Sequence, residues 1–234
     1  MGEIRYRGVQ PLVTRIRLGS SEVKEIFRGD QKVWPPSTDP NTETICSLLW
    51  QTVNTTTRYK QSTGLIPILT NSTDWNSHLQ LGSPAACYWN FDSNNAGYGL
   101  LYNIFARNQI SPPSGYRLPT PNDFISLSCS YSGNLNPLGA NPGEWDSQIL
   151  TNTTGLGNTG LNIQGYGYAN FNQTTSVLQF QQFSRFEFYW MDNTPPQNPL
   201  WGVSANSTIN ALSQAGYGGN PSNVATFIRF VKDL

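Results

Sequence analysis

The stretch of sequence that decides the fold runs from residue 98 to residue 120. It begins with YGLLYNIFA at residues 98–106 and continues, after a polar spacer, with PSGYRLPT at residues 113–120. Aromatic residues, glycines and prolines recur through both pieces, whereas neither contains a nucleophile motif, a metal-ligand cluster or a phosphate-binding loop. The pattern therefore predicts an architecture rather than a reaction.

Both pieces resemble the core of the Fibrobacter succinogenes major paralogous domain, a branch of the C-type lectin fold. Three later segments are similar to that family in the same order, namely TGLNIQGYGY at residues 159–168, FYW at residues 188–190 and FIRFVKD at residues 227–233. The resemblance covers residues 44–234. It implies an α+β domain with two helices, small antiparallel sheets and long loops, in which an early strand pairs with the last one.

Two helices are predicted within the deciding stretch. Apolar spacing favours a first helix over residues 99–107. The second begins after Thr120 as N-cap, with Pro121 at the first helical position and Asp123 in the first turn. We expect Gly133 to end this second helix.

Strands are predicted on both sides of these helices. They are expected over residues 44–50 and, as the last strand, over residues 225–231, and residues 86–90 resemble a strand of the same family. Residues 133–222 are rich in Gly, Asn and Pro, which predicts long loops resting on a small sheet. This region contains too many aromatic residues for a disordered segment.

The first 36 residues differ from the rest of the chain. They contain seven basic residues against four acidic ones, a local charge of +3. The spacing of Val, Ile, Gly and Val over residues 13–23 recurs over residues 23–33, and each unit predicts a strand, a turn and a strand. We therefore expect a β-meander arm at residues 1–36, a proline-rich linker at residues 37–43 and the lectin-like domain at residues 44–234.

A β-unit of three or four strands is marginally stable by itself and needs a partner surface. The arm resembles short segments at the N-termini of phage virion proteins, which implies that it anchors the chain to other virion proteins. An alternative is that its strands complete the sheet of the main domain. The predicted assembly interface consists of apolar residues of the arm: Ile16, Val23, Ile26, Phe27, Val33 and Trp34.

Charge and hydropathy exclude several classes of partner. The net charge is zero and only 12% of the residues are charged, so we expect no nucleic-acid partner and no attraction to acidic membranes. The N-terminus has no apolar signal segment, and no run of 18 apolar residues predicts a membrane span. This composition is typical of loop-rich β-proteins on exterior surfaces.

The three cysteines, Cys46, Cys87 and Cys129, are scattered and odd in number. At least one of them must be unpaired within the chain. We therefore expect buried free thiols rather than a disulfide-framed domain.

Catalytic motifs are weak. His78 is the one histidine, and it lies in a polar segment without a nucleophile motif. Glu144 and Asp146 flank a tryptophan but lack any other glycosidase feature, and residues 155–160 fit G-x-G-x-x-G without a strand before or a helix after them. Residues 191–193 offer one carboxylate and one amide, which leaves calcium open as an alternative without further support from the sequence. The expectation is a protein that is not an enzyme and holds no metal or cofactor.

Aromatic and small polar residues mix through residues 190–222, as they do in antibody paratopes. In phage tropism determinants with the C-type lectin fold, the corresponding segment contacts the receptor. Tyr189 and Trp190 are predicted to be core, and for Trp201 both core and surface positions stay open. The candidate ligand-binding residues are Asn193, Trp201, Asn206, Asn210 and Tyr217.

The first functional hypothesis is a bacteriophage virion structural protein, a fibre, tail or capsid decoration, that is assembled in the host cytoplasm. Its arm would dock to the particle, and its lectin-like domain would bind a host-surface glycan or protein, as a homo-oligomer whose copies add avidity. The alternative is a bacterial cell-surface or polysaccharide-associated binding protein of the same family, which would normally carry an export signal. An enzyme, such as a glycosidase or a relative of formylglycine-generating enzymes, is the third hypothesis.

Overall fold

The chain divides into two compact units, Met1–Pro40 and Asn41–Leu234, in a computed structural model. The second unit begins three residues before the predicted domain start at residue 44, because residues 42–45 already form a strand. The structure describes residues 16–18, 21–23, 26–28, 31–34, 41–62, 64–127, 135–139, 145, 159–192, 199–206, 211–215 and 217–234.

The first unit contains two antiparallel hairpins, which confirms the predicted strand-turn-strand repeat. Among the described residues of this unit, the hairpins are two separate sheets rather than one continuous meander, with a register shift in the second hairpin. The first hairpin pairs β1 with β2, and the second pairs β3 with β4. Their bounds are β1 (Ile16–Leu18), β2 (Ser21–Val23), β3 (Ile26–Arg28) and β4 (Gln31–Trp34).

The second unit is α+β, as predicted. Its described residues form strands β5 (Thr42–Ile45), β6 (Leu48–Gln51), β7 (Ala86–Cys87), β8 (Leu101–Tyr102), β9 (Tyr166–Asn172), β10 (Val177–Gln181), β11 (Phe186–Trp190), β12 (Leu200–Asn206), β13 (Ala211–Ala215), β14 (Val224–Ala225) and β15 (Val231–Asp233). Its described helices are α1 (Ser72–Gln80), α2 (Ile104–Gln109) and α3 (Pro121–Ser126). None of the described helices has the length and apolar character that a membrane crossing requires.

The largest sheet has the strand order β10-β9-β11-β12-β13, and β14 also pairs with β9. All of these pairs are antiparallel except β9 with β11, which run parallel. Long loops on a small sheet were predicted over residues 133–222. That prediction is wrong for the parts of this region that form strands β9 to β13 of the sheet. The alternation of buried and half-buried residues along β9 is the strand signal that the high Gly and Asn content concealed.

A second sheet, β15-β6-β5, joins the beginning of the unit to its end. Val231 pairs with Trp50, which confirms the expected pairing of an early strand with the last one. Residues 44–50, predicted as one strand, instead belong to the hairpin of β5 and β6. Cys46 and Ser47 have φ values of 53° and 69°, and positive φ at both central residues is what a two-residue type I′ turn requires.

The predicted last strand over residues 225–231 is also divided. Residues 226–230 are buried, and their backbone groups bond in turn to several elements. Thr226 bonds to Tyr102, Phe227 accepts from the amide of Trp190, and Phe230 accepts from the amide of Gln51. A segment that changes partner at almost every residue cannot belong to one regular ladder.

The start of α3 is as predicted. The Thr120 hydroxyl accepts from the amide of Asp123 at 3.3 Å, and the Asp123 carboxylate accepts from the amide of Thr120 at 2.6 Å, which forms a capping box. The predicted end at Gly133 is wrong, because the helix ends at Ser126. The Ser126 hydroxyl donates to the Asp123 carbonyl at 2.6 Å, and serine side chains that bond to the backbone disfavour further helix.

The first predicted helix begins later than expected. Residues 101–102 form β8, and α2 begins only after Asn103, whose side-chain oxygen accepts from the amide of Ala106 at 2.8 Å. The predicted strand over residues 86–90 likewise shortens to residues 86–87. A 3₁₀ turn follows that strand.

Helix α1 is not predicted by the sequence pattern. Its N-cap is Asn71, whose side-chain oxygen accepts from the amide of Asp74 at 2.9 Å. Trp75 is its one buried residue. Apolar periodicity therefore provided no signal, although the cap was visible in the sequence.

The cysteines differ in state. Cys46 is disulfide-bonded, so the prediction of free thiols is wrong for this residue. Cys87 is free and buried, as predicted, and burial raises the pKa of its thiol. Cys129 lies outside the described residues.

A buried polar network connects distant parts of the second unit. Glu187 on β11 and Arg229 before β15 are both almost completely buried, and Glu187 Oε1 lies 3.8 Å from Arg229 Nη2. Asn54 bridges them, because its amide nitrogen donates to Glu187 at 2.8 Å and its oxygen accepts from Arg229 at 2.9 Å. The second Glu187 oxygen accepts from the backbone amides of Gln164 and Gly165 at 2.7 and 2.8 Å.

Arg229 completes this network through the backbone of residues 161–162. Its guanidinium donates to the carbonyls of Leu161 and Asn162. Gly99 leaves room for the buried Asn54, since a Cβ at position 99 would fall 2.5 Å from the Asn54 Cβ. Every charge in the network is thus paired and hydrogen-bonded, as burial requires.

Replacing Glu187 by Gln should lower the free energy of unfolding by about 3–5 kcal/mol, because it leaves the buried Arg229 charge uncompensated. Urea denaturation of the variant and the wild type measures the loss. Asp233→Asn is the matched control, because the Asp233 carboxylate pairs with Arg117 at an exposed position and should matter far less. Equal losses in the two variants would contradict the importance of the buried network.

Asp123 makes the stability depend on pH. Partial burial raises the pKa of its carboxyl, but hydrogen bonds from Arg117 and Thr120 outweigh burial and hold it below the ordinary 3.8. A carboxyl whose pKa is lowered by folding stabilises the protein fully above its unfolded-state pKa. That stabilisation is lost as the pH falls through the lowered pKa.

Asp123→Asn should therefore destabilise the protein by about 0.5–2 kcal/mol at neutral pH, the usual effect of losing a helix cap. The difference between variant and wild type should shrink as the pH falls from about 4, where the Asp123 carboxyl of the unfolded chain becomes protonated, through the lower pKa of the folded state. Urea titrations at a series of pH values measure this difference. A difference that grows toward acidic pH would show that the charge of Asp123 is not the stabilising feature.

Candidate functional site

Trp201 belongs to the core. It is 6% exposed and stacks on Phe124 with 4.3 Å between ring centroids. Trp201 is therefore no longer a candidate ligand-binding residue. Tyr189 and Trp190 are also buried, as predicted.

The other predicted ligand-binding residues divide into described and undescribed ones. Asn193 and Asn210 lie outside the described residues. Asn206 is the last residue of β12, where its backbone pairs with Ala211 on β13. Its role in binding stays a prediction.

Tyr217 is half-buried on the large sheet. Its ring meets those of Tyr168 and Phe188 edge to face, at 5.8 and 5.9 Å, and its hydroxyl donates to the side chain of Asn170 at 3.2 Å. Burial raises the pKa of Tyr217. Gly219 packs against this side chain so closely that a Cβ there would fall 2.6 Å from the phenol oxygen, so the loop after Tyr217 folds back onto it.

The same loop leads into a cleft of about 340 Å³, which we call the amide cleft. Its walls come from α1, from the turn between β9 and β10 and from the segment before β14, with one ring each from α2 and β9. The ten described side chains that line it are all uncharged. They are Asn76, Leu79, Gln80, Phe105, Phe171, Gln173, Ser176, Asn220, Ser222 and Asn223.

Amides pair with one another on two walls of the amide cleft. The Gln80 amide nitrogen donates to the Asn76 oxygen at 3.4 Å, and the Gln173 amide nitrogen donates to the Asn223 oxygen at 3.3 Å. The Asn220 oxygen caps the short turn that follows it by accepting from the amide of Ser222 at 3.0 Å. These contacts hold polar groups from three separate chain segments around one space.

The lining of the amide cleft also contains aromatic rings. Phe171 on β9 is buried, while Phe105 on α2 is half-buried. Gly82 lies beside the Phe105 ring, since a Cβ at position 82 would fall 3.6 Å from the ring edge. Aromatic surface combined with a few polar groups is the usual composition of a small-molecule binding site.

The described lining of the amide cleft consists of amides, hydroxyls and apolar side chains, and it includes no carboxylate, imidazole or thiol. Asn and Gln side chains each supply an NH₂ group with two donors and a carbonyl oxygen that accepts, and serine hydroxyls both donate and accept. The arrangement is therefore suited to an uncharged partner that offers donors and acceptors together.

A second cleft, of about 400 Å³, is lined by polar and apolar residues together with the charged Arg107, Arg117 and Asp192. Both guanidinium groups are already engaged within the chain. Arg107 donates to the carbonyl of Met191, and Arg117 pairs with Asp123 and Asp233. Burial lowers the pKa of Arg107, and hydrogen bonds with Asp123 and Asp233 raise that of Arg117.

The weak catalytic candidates gain no support from their positions. His78 Nδ1 lies 3.1 Å from the carbonyl oxygen of Pro84, half-buried at the end of α1. Glu144, Asp146 and residues 155–158 lie outside the described residues. Within the described part of the chain, no three His, Cys, Asp or Glu side chains are grouped as a metal site would require.

Sequence reasoning missed most of the amide cleft. Asn76 and Gln80 come from a helix that was not predicted, and Gln173 from a turn within the supposed loop region. The spacing of Asn76 and Gln80, four residues apart after the capping Asn71, was the available signal. The sequence analysis covered Asn220 only as one of many polar residues within residues 190–222 and did not select it as a candidate ligand-binding residue.

Comparison of the chain with protein-family models, with curated proteins and with solved structures finds no match. The amide cleft and the hairpin arm are therefore the features from which a function can be proposed.

Proposed function

We propose that this chain is a non-enzymatic structural protein of a bacteriophage virion, a fibre, a tail component or a capsid decoration. Its first unit docks to other virion proteins, and its second unit displays a binding surface toward a host-surface glycan or protein. The protein acts as a homo-oligomer in the particle, so that several weak contacts add to a strong attachment.

One observation carries the binding part of this proposal: all ten described side chains that line the amide cleft are uncharged. Enzymatic sites hold groups with a pKa matched to proton transfer or nucleophilic attack. A space lined by amides, hydroxyls and rings favours recognition over chemistry.

The arm supports the docking part. Its four described strands contain three or four residues each, and two-stranded hairpins of that size are not stable alone. Apolar side chains predicted for the interface, Ile16, Val23, Ile26, Phe27, Val33 and Trp34, all belong to these strands. Burial of these residues against another virion protein would supply the missing stability.

For the second unit we propose a C-type-lectin-like domain. The pairing of β6 with β15 agrees with the closed loop that this resemblance implies. The burial of Tyr189 and Trp190 agrees with the core position of the corresponding family segment. The assignment rests on the sequence motifs at residues 98–120, 159–168, 188–190 and 227–233.

The proposal is tested by deleting residues 1–36. Phage particles are purified from lysates of the host cells that produce them. The full-length protein should co-purify with these particles. The deleted protein, which retains the complete second unit, should stay in the supernatant yet bind host cells. Incorporation of the deleted protein at the full-length level would overturn docking through the arm, and absence of host-cell binding by both proteins would overturn the attachment role.

The disulfide at Cys46 favours the second candidate, a bacterial cell-surface or polysaccharide-associated binding protein. Disulfides form and persist in oxidising compartments and are rare in the cytosol, where phage particles assemble. Export would place the chain in such a compartment while it folds.

Cys46→Ser should lower the free energy of unfolding by about 2–4 kcal/mol, because it removes the cross-link from the unfolded state. Reductant should lower the melting temperature of the wild type and of Cys87→Ala, the control that removes the free thiol, but not that of Cys46→Ser. Mass spectrometry after alkylation of protein from its natural source shows whether Cys46 is oxidised there. An alkylated Cys46 would remove the support for an exported protein.

A further inference from the structure

We propose that the amide cleft binds an uncharged saccharide without the help of a metal ion. This inference rests on the proposed attachment function and names the chemical class of the ligand and the residues that hold it. The cleft lies outside the residues 193–217 that contain the predicted ligand contacts.

Hydrogen-bonding groups in the cleft occur as complementary sets. The two amide pairs use the nitrogens of Gln80 and Gln173 and the oxygens of Asn76 and Asn223. The oxygens of both glutamines and the nitrogens of both asparagines have no protein partner among the described residues. Acceptors and donors thus stand side by side on each wall, which suits hydroxyl groups because every hydroxyl both donates and accepts.

The walls of the cleft are held in place before any ligand arrives. The Asn172 oxygen accepts from the amides of Thr174 and Thr175 at 2.9 and 3.1 Å and thereby sets the turn that carries Gln173. The Ser72 hydroxyl accepts from the amide of Leu178 at 3.1 Å, which joins α1 to β10. A site with fixed walls loses less conformational entropy on binding.

The aromatic part of the lining suits the apolar face of a sugar ring. Phe105 is half-buried and lines the cleft together with the buried Phe171. A pyranose ring presents C–H groups on one face and hydroxyls around its edge, which matches a lining that combines aromatic rings with amides.

Charge decides which saccharides fit. None of the described residues that line the cleft is basic, so the carboxylate of a sialic or uronic acid would lose its hydration without gaining an ion pair from them. None of the described lining side chains is a carboxylate either, so the amide oxygens of the cleft would have no negative charge to balance that of a calcium ion. Binding should therefore be insensitive to salt and to chelators.

The experiment uses the full-length protein and an array of uncharged oligosaccharides built from glucose, galactose, mannose and N-acetylglucosamine. Matched oligosaccharides that carry sialic or uronic acid are included. We expect binding to at least one uncharged probe, with weaker binding to its acidic counterpart and the same affinity in EDTA. Absence of uncharged binders, preference for the acidic probes or loss of binding in EDTA would each overturn the proposal.

Variants then locate the site. Gln173→Met and Asn223→Leu should each weaken binding of the best uncharged probe about 3–10-fold, the usual effect of losing one hydrogen bond. Gln214→Met is the matched control, because Gln214 is an exposed glutamine on β13 and does not line the cleft. All three positions are near the surface, so melting temperatures should stay close to the wild type. Unchanged affinity in both cleft variants would overturn the assignment of the site.

Host cells separate this inference from the attachment function itself. Periodate cleaves vicinal diols of sugars, and periodate treatment of the cells should abolish binding of the wild-type protein. If binding instead survives periodate and is lost after protease treatment, attachment stands through a protein receptor and the saccharide inference falls. If untreated cells do not bind the protein, the attachment function fails while saccharide binding on the array still decides the inference.

Discussion

The constraint on which the second unit depends is the burial of the Arg229 charge. A guanidinium group removed from water needs a counter-charge and acceptors for its donors. Glu187, Asn54 and the carbonyls of residues 161–162 supply them. These groups come from the beginning, the middle and the end of the unit, so the network forms only when all three have reached their native positions. It therefore couples the two sheets and the connecting segment into one structure.

The path of residues 226–230 follows from the same constraint. This segment passes through the centre of the unit, and its backbone bonds to β8, β11 and the end of β6 in turn. Its position places β14 against β9 and brings residues 220–223 to the turn between β9 and β10. Helix α1 closes the remaining side through its contacts with β10. The amide cleft is thus the place where three segments, held by the core behind them, meet at the surface.

Local signals in the sequence predicted local structure well. The capping residues before α3 and the strand-turn-strand repeats of the arm were visible because each depends on residues within a few positions of one another. The hairpin of β5 and β6 was missed because Cys46 and Ser47 adopt left-handed φ values that favour Gly, Asn or Asp. The strands of the large sheet were missed because Gly and Asn between the aromatic residues are typical of loops, and only pairing with neighbouring strands outweighs that preference.

By itself, the sequence determined the α+β composition, the start of α3, the division into a small arm and a large domain, and the low fraction of charged residues. These properties depend on composition and on neighbours along the chain. Only the tertiary structure decided that Trp201 is buried and that Asn76, Gln173 and Asn223 line one cleft. Contacts between residues that lie far apart along the chain leave no periodic trace in the sequence, because they depend on how the buried network and the sheets bring those segments together.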